Sequence, residues 1–209
     1  MKKDSSYFRS QEIFKYFPYI DLLIDVGVGN EFSEAWAFSE CYPNCKIWGF
    51  EPNSIRFQQL KNVYPGELFN VAVSNKDGNI TGSICNKFTI LATPPENSSF
   101  EFAGNTWTKQ EYPSITLDSL ATENFSNIFL WADVEGAELL VLKGSINLLG
   151  SKRIIGINLE VRSKELVDAE YLDFWCSHEE ICVFLKEFDY SSLEDFISRR
   201  SQDILWRQI

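Results

Sequence analysis

Four acids close, or nearly close, separate apolar runs: Asp25 after Leu22-Leu23-Ile24, Glu51 after Ile47-Trp48-Gly49-Phe50, Asp133 after Ile128–Ala132, and Glu160 after Ile157-Asn158-Leu159. Apolar runs of that length, set between helical patterns, read as buried strands of a parallel sheet. In an open α/β sheet, ligands sit beyond the carboxyl ends of the strands, where the strand order reverses. The four acids are therefore expected to converge on one cleft. Carboxylates so placed can accept hydrogen bonds from hydroxyls, accept a proton from a reacting group, or hold Mg²⁺ or Ca²⁺. No spacing signature marks a metal site, and none is expected.

The first two acids come with glycines. Asp25-Val26-Gly27-Val28-Gly29-Asn30 places two glycines one residue apart directly after a strand, and Glu51 follows about 20 residues on. Glycines in such a turn let the backbone approach a ligand, and an acid at the next strand end takes both ribose hydroxyls. This points to an adenosine-containing cofactor. The turn reads Gly-Val-Gly-Asn-Glu-Phe, with no third glycine opening the helix as a pyrophosphate-bearing dinucleotide would want.

The elements that must position these residues follow from periodicity and turn signals. A short N-terminal helix is expected over residues 8–19, stopped by Pro18, then strands at Leu22–Val26 and Lys46–Phe50 with a helix over 32–41 between them. A second helix starts at Ser54 and ends before Tyr64-Pro65-Gly66, and a third strand spans Leu68–Ser74. A hairpin is expected from Ile80–Cys85 and Phe88–Ala92, followed by a long irregular stretch over 93–114. Aromatics within that stretch suit a lid or a substrate wall, with Trp107 as the residue on which an acceptor could stack, although ordinary packing would also use them. Strands at Ile128–Val134 and Ile154–Val161, helices over 137–149 and 177–187, and a last antiparallel edge strand at Ile204–Trp206 complete the chain. The expected fold is α/β: a Rossmann-like, doubly wound, mostly parallel sheet flanked by helices, with an antiparallel last strand and an inserted hairpin or loop.

The length of 209 residues suits one domain spanning 1–209 with a sizeable core, and 44% hydrophobic content reads as folded throughout. A net charge of −11 argues against nucleic acid and against anionic membrane surfaces, whose phosphates reward Lys and Arg. No window approaches a membrane span, and the basic Met1-Lys2-Lys3 start is followed by no apolar segment of a targeting peptide. Five cysteines, at 41, 45, 85, 176 and 182, form no CxxC pair, so reduced structural thiols in a cytoplasmic protein are expected. The one histidine, His178, opens a helix and reads as surface.

Trp131-Ala132-Asp133-Val134-Glu135-Gly136-Ala137-Glu138 carries three acids at one strand mouth, although Glu135 and Glu138 also suit the start of a helix, whose dipole favours acids. With this block the chain resembles the FkbM-type methyltransferases, a class I family dependent on S-adenosylmethionine. The pieces that carry the likeness are Ile24-Asp25-Val26-Gly27, Gly49-Phe50-Glu51-Pro52-Asn53, Asn70-Val71-Ala72-Val73-Ser74 with Asp77-Gly78, Ile115–Leu120, Asp133–Glu138 through Val141-Leu142-Lys143-Gly144, and Leu159-Glu160-Val161. Their order covers residues 22–161. The chain departs from the family where a Lys often stands two residues before the aspartate: here it has Trp131.

The resemblance implies O-methylation of a sugar, glycan or other small-molecule hydroxyl. It implies that Asp25, Gly27 and Gly29 hold the amino-acid and ribose end of the cofactor, that Glu51 takes the ribose hydroxyls, and that Asn53, Ala72 and Val73 border the adenine. Asp133 is the first candidate for the base, with Glu135 and Glu160 behind it, and Glu138 with Trp107 is expected to face the acceptor. Two other classes share these residues: a catalytically silent S-adenosylmethionine-fold scaffold, separable by cofactor affinity, and an NAD(P)-dependent oxidoreductase. The missing third glycine and the absence of a Tyr-x-x-x-Lys pair count against the last.

Overall fold

The computed structural model describes residues 5–29, 32–84, 89–90, 99–102, 105–164, 176–193 and 201–209. In chain order these give α1 (Ser5–Tyr16), β1 (Leu22–Val26), α2 (Ser33–Cys41), β2 (Lys46–Phe50), α3 (Ser54–Leu60), β3 (Glu67–Phe69), β4 (Ala72–Val73), β5 (Gly78–Ile84), β6 (Thr89–Ile90), β7 (Ser99–Phe102) and β8 (Asn105–Ile115). A 3-10 turn at Leu117–Ser119 leads to β9 (Ile128–Ala132), α4 (Glu138–Lys143), α5 (Ile146–Gly150), β10 (Ile154–Arg162), α6 (His178–Lys186), β11 (Tyr190–Ser192) and β12 (Ser201–Gln208).

Every residue of β1 and β9 is buried, as strands covered on both faces require. β1 pairs in parallel with β2 on one side and β9 on the other, within a sheet ordered β11-β12-β10-β9-β1-β2-β3 among the described residues. The chain moves outward from β1 to β3 and then crosses back to β9. The strand order thus reverses between β1 and β9, which fixes where a ligand crevice opens.

Alternation splits the core in two. Leu22, Ile24, Val26, Ile128, Leu130 and Ala132 pack on one face, while Leu23, Phe129 and Trp131 pack with Ile13, Phe17, Ala35 and Phe38 of the α1–α2 side on the other. By the same alternation Asp25, Asp133 and Glu160 continue the second face as each strand reaches its carboxyl end. Trp131, standing where the family often has Lys, is 4% exposed and meets Phe38 edge-on. It is core.

Four expectations need correction. The strand read over Leu68–Ser74 is two strands in two sheets, because the Asn70 side chain donates to the carbonyls of Glu51 and Pro52 and interrupts the ladder. The helix read over 137–149 breaks at Gly144-Ser145. A Cβ on Gly144 would lie 2.0 Å from the Ser74 carbonyl oxygen, and Asp118 accepts from the amides of Asn147 and Leu148 to start α5. The stretch read as irregular is, over Ser99–Phe102 and Asn105–Ile115, a pair of antiparallel strands, β8 being also the long partner of β5. Its β-branched and aromatic residues gain their ladder from an edge distant in sequence, which local turn composition conceals. The rest of that stretch, residues 93–98 and 103–104, lies outside the described residues. Finally β12 pairs with β10 antiparallel, as expected, but is not the edge: β11 lies outside it. No described helix is long and apolar enough to cross a membrane.

The tight seat of Gly144 gives a stability test. Gly144→Ala should destabilise by about 1–3 kcal/mol, lowering Tm by roughly 2–10 °C. Gly150→Ala, which meets nothing within 4 Å, should be neutral or mildly stabilising by thermal denaturation.

Candidate active site

Four strand ends are tied together around the reversal. The Gly27 amide donates to the Phe50 carbonyl at 3.0 Å, the Asp133 amide donates to the Val26 carbonyl at 3.0 Å, and the Glu51 amide donates to Phe69 at 3.0 Å. Gly27 has φ +86°, and a Cβ there would lie 2.0 Å from the Asp133 carbonyl oxygen. Only glycine lets the turn after β1 come so close to the loop after β9. Gly29 follows in the same left-handed region, at φ +59°.

Glu51 stands at the end of β2, 5% exposed. Its Oε1 accepts from the Asn53 amide at 2.8 Å, and the Gly29 amide also bonds the carboxylate. Burial nevertheless raises its pKa, the Asn53 amide, the Arg56 charge and the Gly29 amide pulling the other way. Asn53 acts differently from the expectation. Its side-chain oxygen accepts from the amides of Ile55 and Arg56 and caps α3, so its part in the site is to hold Glu51 through its backbone. Ala72 and Val73, expected to border the adenine, lie on β4 and are buried at 0% and 1% exposure among the core residues. The strand read there as one piece hid their turn into the second sheet. Asn70, quoted above only as part of a family-like block, buttresses the Glu51–Pro52 backbone.

Asp25 is 1% exposed and accepts from the Tyr64 hydroxyl at 2.7 Å. Burial pushes its pKa up to about 7, the Tyr64 bond lowers it and the Glu51 charge raises it again. In the sequence, Tyr64-Pro65-Gly66 signals only a helix stop, and nothing there marks Tyr64 as a partner of Asp25.

Across the crevice, carboxylate oxygens of Asp133, Glu135 and Glu160 all lie within 4.8 Å of one another. Glu135 and Gly136 both have positive φ, 53° and 101°, and this sharp turn folds Glu135 back beside Asp133. Asp133 is open to solvent, yet densely surrounded by protein. Its pKa is raised well above the ordinary carboxylate value, first by that surrounding and then by the charges of Glu160, Glu135, Glu138 and Asp203. Glu135 is raised too, by burial and by Glu160, with Arg162 at 3.8 Å offsetting part. Three oxygens so close could share a divalent cation, or a single proton.

Glu138, expected to face the acceptor, is turned into the protein. It is 1% exposed, and its Oε1 accepts from the amides of Val134 and Gly136, bracing the loop that presents Asp133 and Glu135. Its position one turn into the motif could not tell an inward brace from an outward contact; the backbone angles at 135 and 136 decide that. The side chain of Trp107 lies outside the described residues. His178 is half-buried, with a ring nitrogen 3.2 Å from Cys182 Sγ and its ring tilted on Trp206. Cys41, Cys45, Cys176 and Cys182 are free thiols.

Residues 20–192 match the family model described as the methyltransferase FkbM domain. Among curated proteins none matches the chain significantly. Among solved structures, a protein from Clostridium thermocellum provisionally named an rRNA-methylase superposes with a TM-score of 0.52 at 13% identity, covering 100% of both chains. EvdMO1 superposes with a TM-score of 0.50 at 14% identity over 98% of this chain and 41% of its own, so this chain spans about two fifths of EvdMO1's length. At such identities the likeness is one of fold.

The burial of Glu138 makes stability depend on pH. Its pKa is about 7 in the folded chain against 4.5 for an ordinary glutamate, so the protonated form is the one that the fold favours. That contribution is complete below pH 4.5 and is lost as pH rises to about 7. Tm of the ligand-free protein should therefore fall across this window. Glu138→Gln, which keeps the amide acceptor and cannot ionise, should make the fall shallower by roughly 5 °C; an unchanged slope in a pH series of melting curves would contradict the assignment.

Proposed function

The chain belongs to the FkbM methyltransferase family, which draws on S-adenosylmethionine, and from that premise we propose that it methylates a hydroxyl of a sugar, glycan or other small molecule. S-Adenosylmethionine supplies a methyl group already activated by a positive sulfur. The protein must align an acceptor oxygen with that methyl and take the hydroxyl proton.

The residues divide that work between the two sides of the crevice. On the β1–β2 side, Asp25, Gly27, Gly29 and Glu51 hold the cofactor: the glycines admit its backbone-close end, and Glu51 accepts from the ribose hydroxyls. On the β9–β10 side, Asp133 accepts the proton, with Glu135 and Glu160 setting its charge. The observation that carries this reading is the solvent-open Asp133 beside Glu135 and Glu160, on a loop whose backbone touches Gly27. A hydroxyl is a weak nucleophile, and a carboxylate with a raised pKa is a better base for it than an ordinary one. Alignment supplies much of the remaining acceleration. The charge of −11 favours a neutral or cationic acceptor.

Methyl transfer from labelled S-adenosylmethionine to a panel of sugars and small alcohols tests the proposal. Asp133→Asn should lower kcat by about 10²–10⁴-fold while leaving cofactor Kd within about threefold. Activity of the unaltered protein should rise with pH through a midpoint above the ordinary carboxylate range. Glu160→Gln removes one repelling charge and should move that midpoint down. Retention of full turnover by Asp133→Asn would remove Asp133 from the chemistry.

A further inference from the structure

Asp25 owes its setting to a residue nearly forty positions away in the chain, Tyr64. Gly49 is the register partner of Asp25 on β2, and the space that a Cβ would fill there is taken by the Tyr64 phenol: the added atom would lie 2.6 Å from Tyr64 Cζ and 2.7 Å from its hydroxyl oxygen. The turn that delivers Tyr64 is pinned as closely. A Cβ on Gly66 would lie 2.2 Å from the Ile47 carbonyl oxygen, and the Tyr64 amide donates to Leu60 at 2.9 Å. The ring is 7% exposed and meets Phe32 at 5.8 Å between centroids. Packing accounts for the ring. It does not account for a hydroxyl aimed at a buried carboxylate.

We infer that Tyr64 is a positioning residue for the amino-acid end of the cofactor: its hydroxyl, seated against Gly49, fixes Asp25 through Oδ2 and reserves Oδ1 for the cofactor's primary ammonium. The Tyr64 bond falls on Oδ2, so Oδ1 is the carboxylate oxygen that the phenol does not engage. The inference rests on the reading of Asp25 as part of the cofactor site. The groups that face this pair are Glu51 at the end of β2, Glu34 at the start of α2 and Cys45 before β2. None is a cation, so the phenol is the group that favours an ionised Asp25 before an ammonium arrives. Burial and the Asp25 charge push the phenol's own pKa well above 10, so it remains a donor at every working pH. An ammonium beside Oδ1 would complete the ionisation that Tyr64 begins.

Calorimetric titration with S-adenosylmethionine from pH 5.5 to 8.5 separates the possibilities. For the unaltered chain, affinity should climb with pH through a midpoint near 7 as Asp25 ionises. Tyr64→Phe keeps the ring, and should bind about tenfold more weakly at pH 7 with its midpoint moved to higher pH. Asp25→Asn should bind weakly and show no such midpoint. Unchanged affinity and midpoint in Tyr64→Phe, with Asp25→Asn still impaired, would overturn the role of Tyr64 and leave the cofactor site standing. Unimpaired binding by Asp25→Asn would remove the premise itself. Should Tyr64→Phe fail to fold, 3-fluorotyrosine placed at position 64 is a stronger donor and should move the midpoint down; a midpoint that stays put overturns the inference.

Discussion

The closeness of two strand ends governs everything in the crevice. The turn after β1 meets the loop after β9 so tightly that Gly27 has no room for a Cβ against the Asp133 carbonyl, and the Asp133 amide closes the contact by donating to Val26. This contact sits where the strand order reverses, so the glycine turn that suits a cofactor and the acid that suits a base share one wall. A side chain at position 27 would separate them. The β2 end is drawn into the same junction by the Gly27–Phe50 hydrogen bond, which sets Glu51 beside Gly29.

The electrostatics follow from that convergence. Glu51 adds to the burden on Asp25 on one side, while Glu160, Glu135 and Glu138 add to that on Asp133 on the other. Like charges held this near in a partly dehydrated crevice resist ionisation. The fold tolerates them with local donors: backbone amides for Glu51 and Glu138, a phenol for Asp25 and Arg162 for Glu135. Asp133 has the least such relief, being raised by four neighbouring acids. A ligand with an ammonium and a sulfonium would offset this accumulated negative charge.

The parts legible in the sequence were those specified locally. β1 and β2 stand at Leu22–Val26 and Lys46–Phe50, as expected, because an apolar run ending at a glycine turn or at Glu-Pro bounds each strand locally. The family likeness likewise rests on short blocks, and the family match extends over residues 20–192. What escaped depends on partners far away. The division of β3 from β4 is decided by Asn70 reaching back to Glu51 and Pro52, and β8 forms because β5 offers it an edge. Asp77 and Asp118, conspicuous within the family-like blocks, hold turns and cap α5 rather than face the crevice. Within Asp133–Glu138 the sequence shows three acids, but the positive φ angles at 135 and 136 sort them into a presented pair and an inward brace. Tyr64 illustrates the limit best: no local pattern links it to Asp25.

Calorimetric titration of the purified chain with S-adenosylmethionine, and in parallel with NAD, tests the junction of β1, β2 and β9 as a cofactor site most directly. Dissociation on the order of micromolar for S-adenosylmethionine, lost in Glu51→Gln and unmatched by NAD, is the result expected if Glu51 takes the ribose hydroxyls beside the glycine turn. Binding that survives Glu51→Gln unchanged, or a preference for NAD, would contradict it.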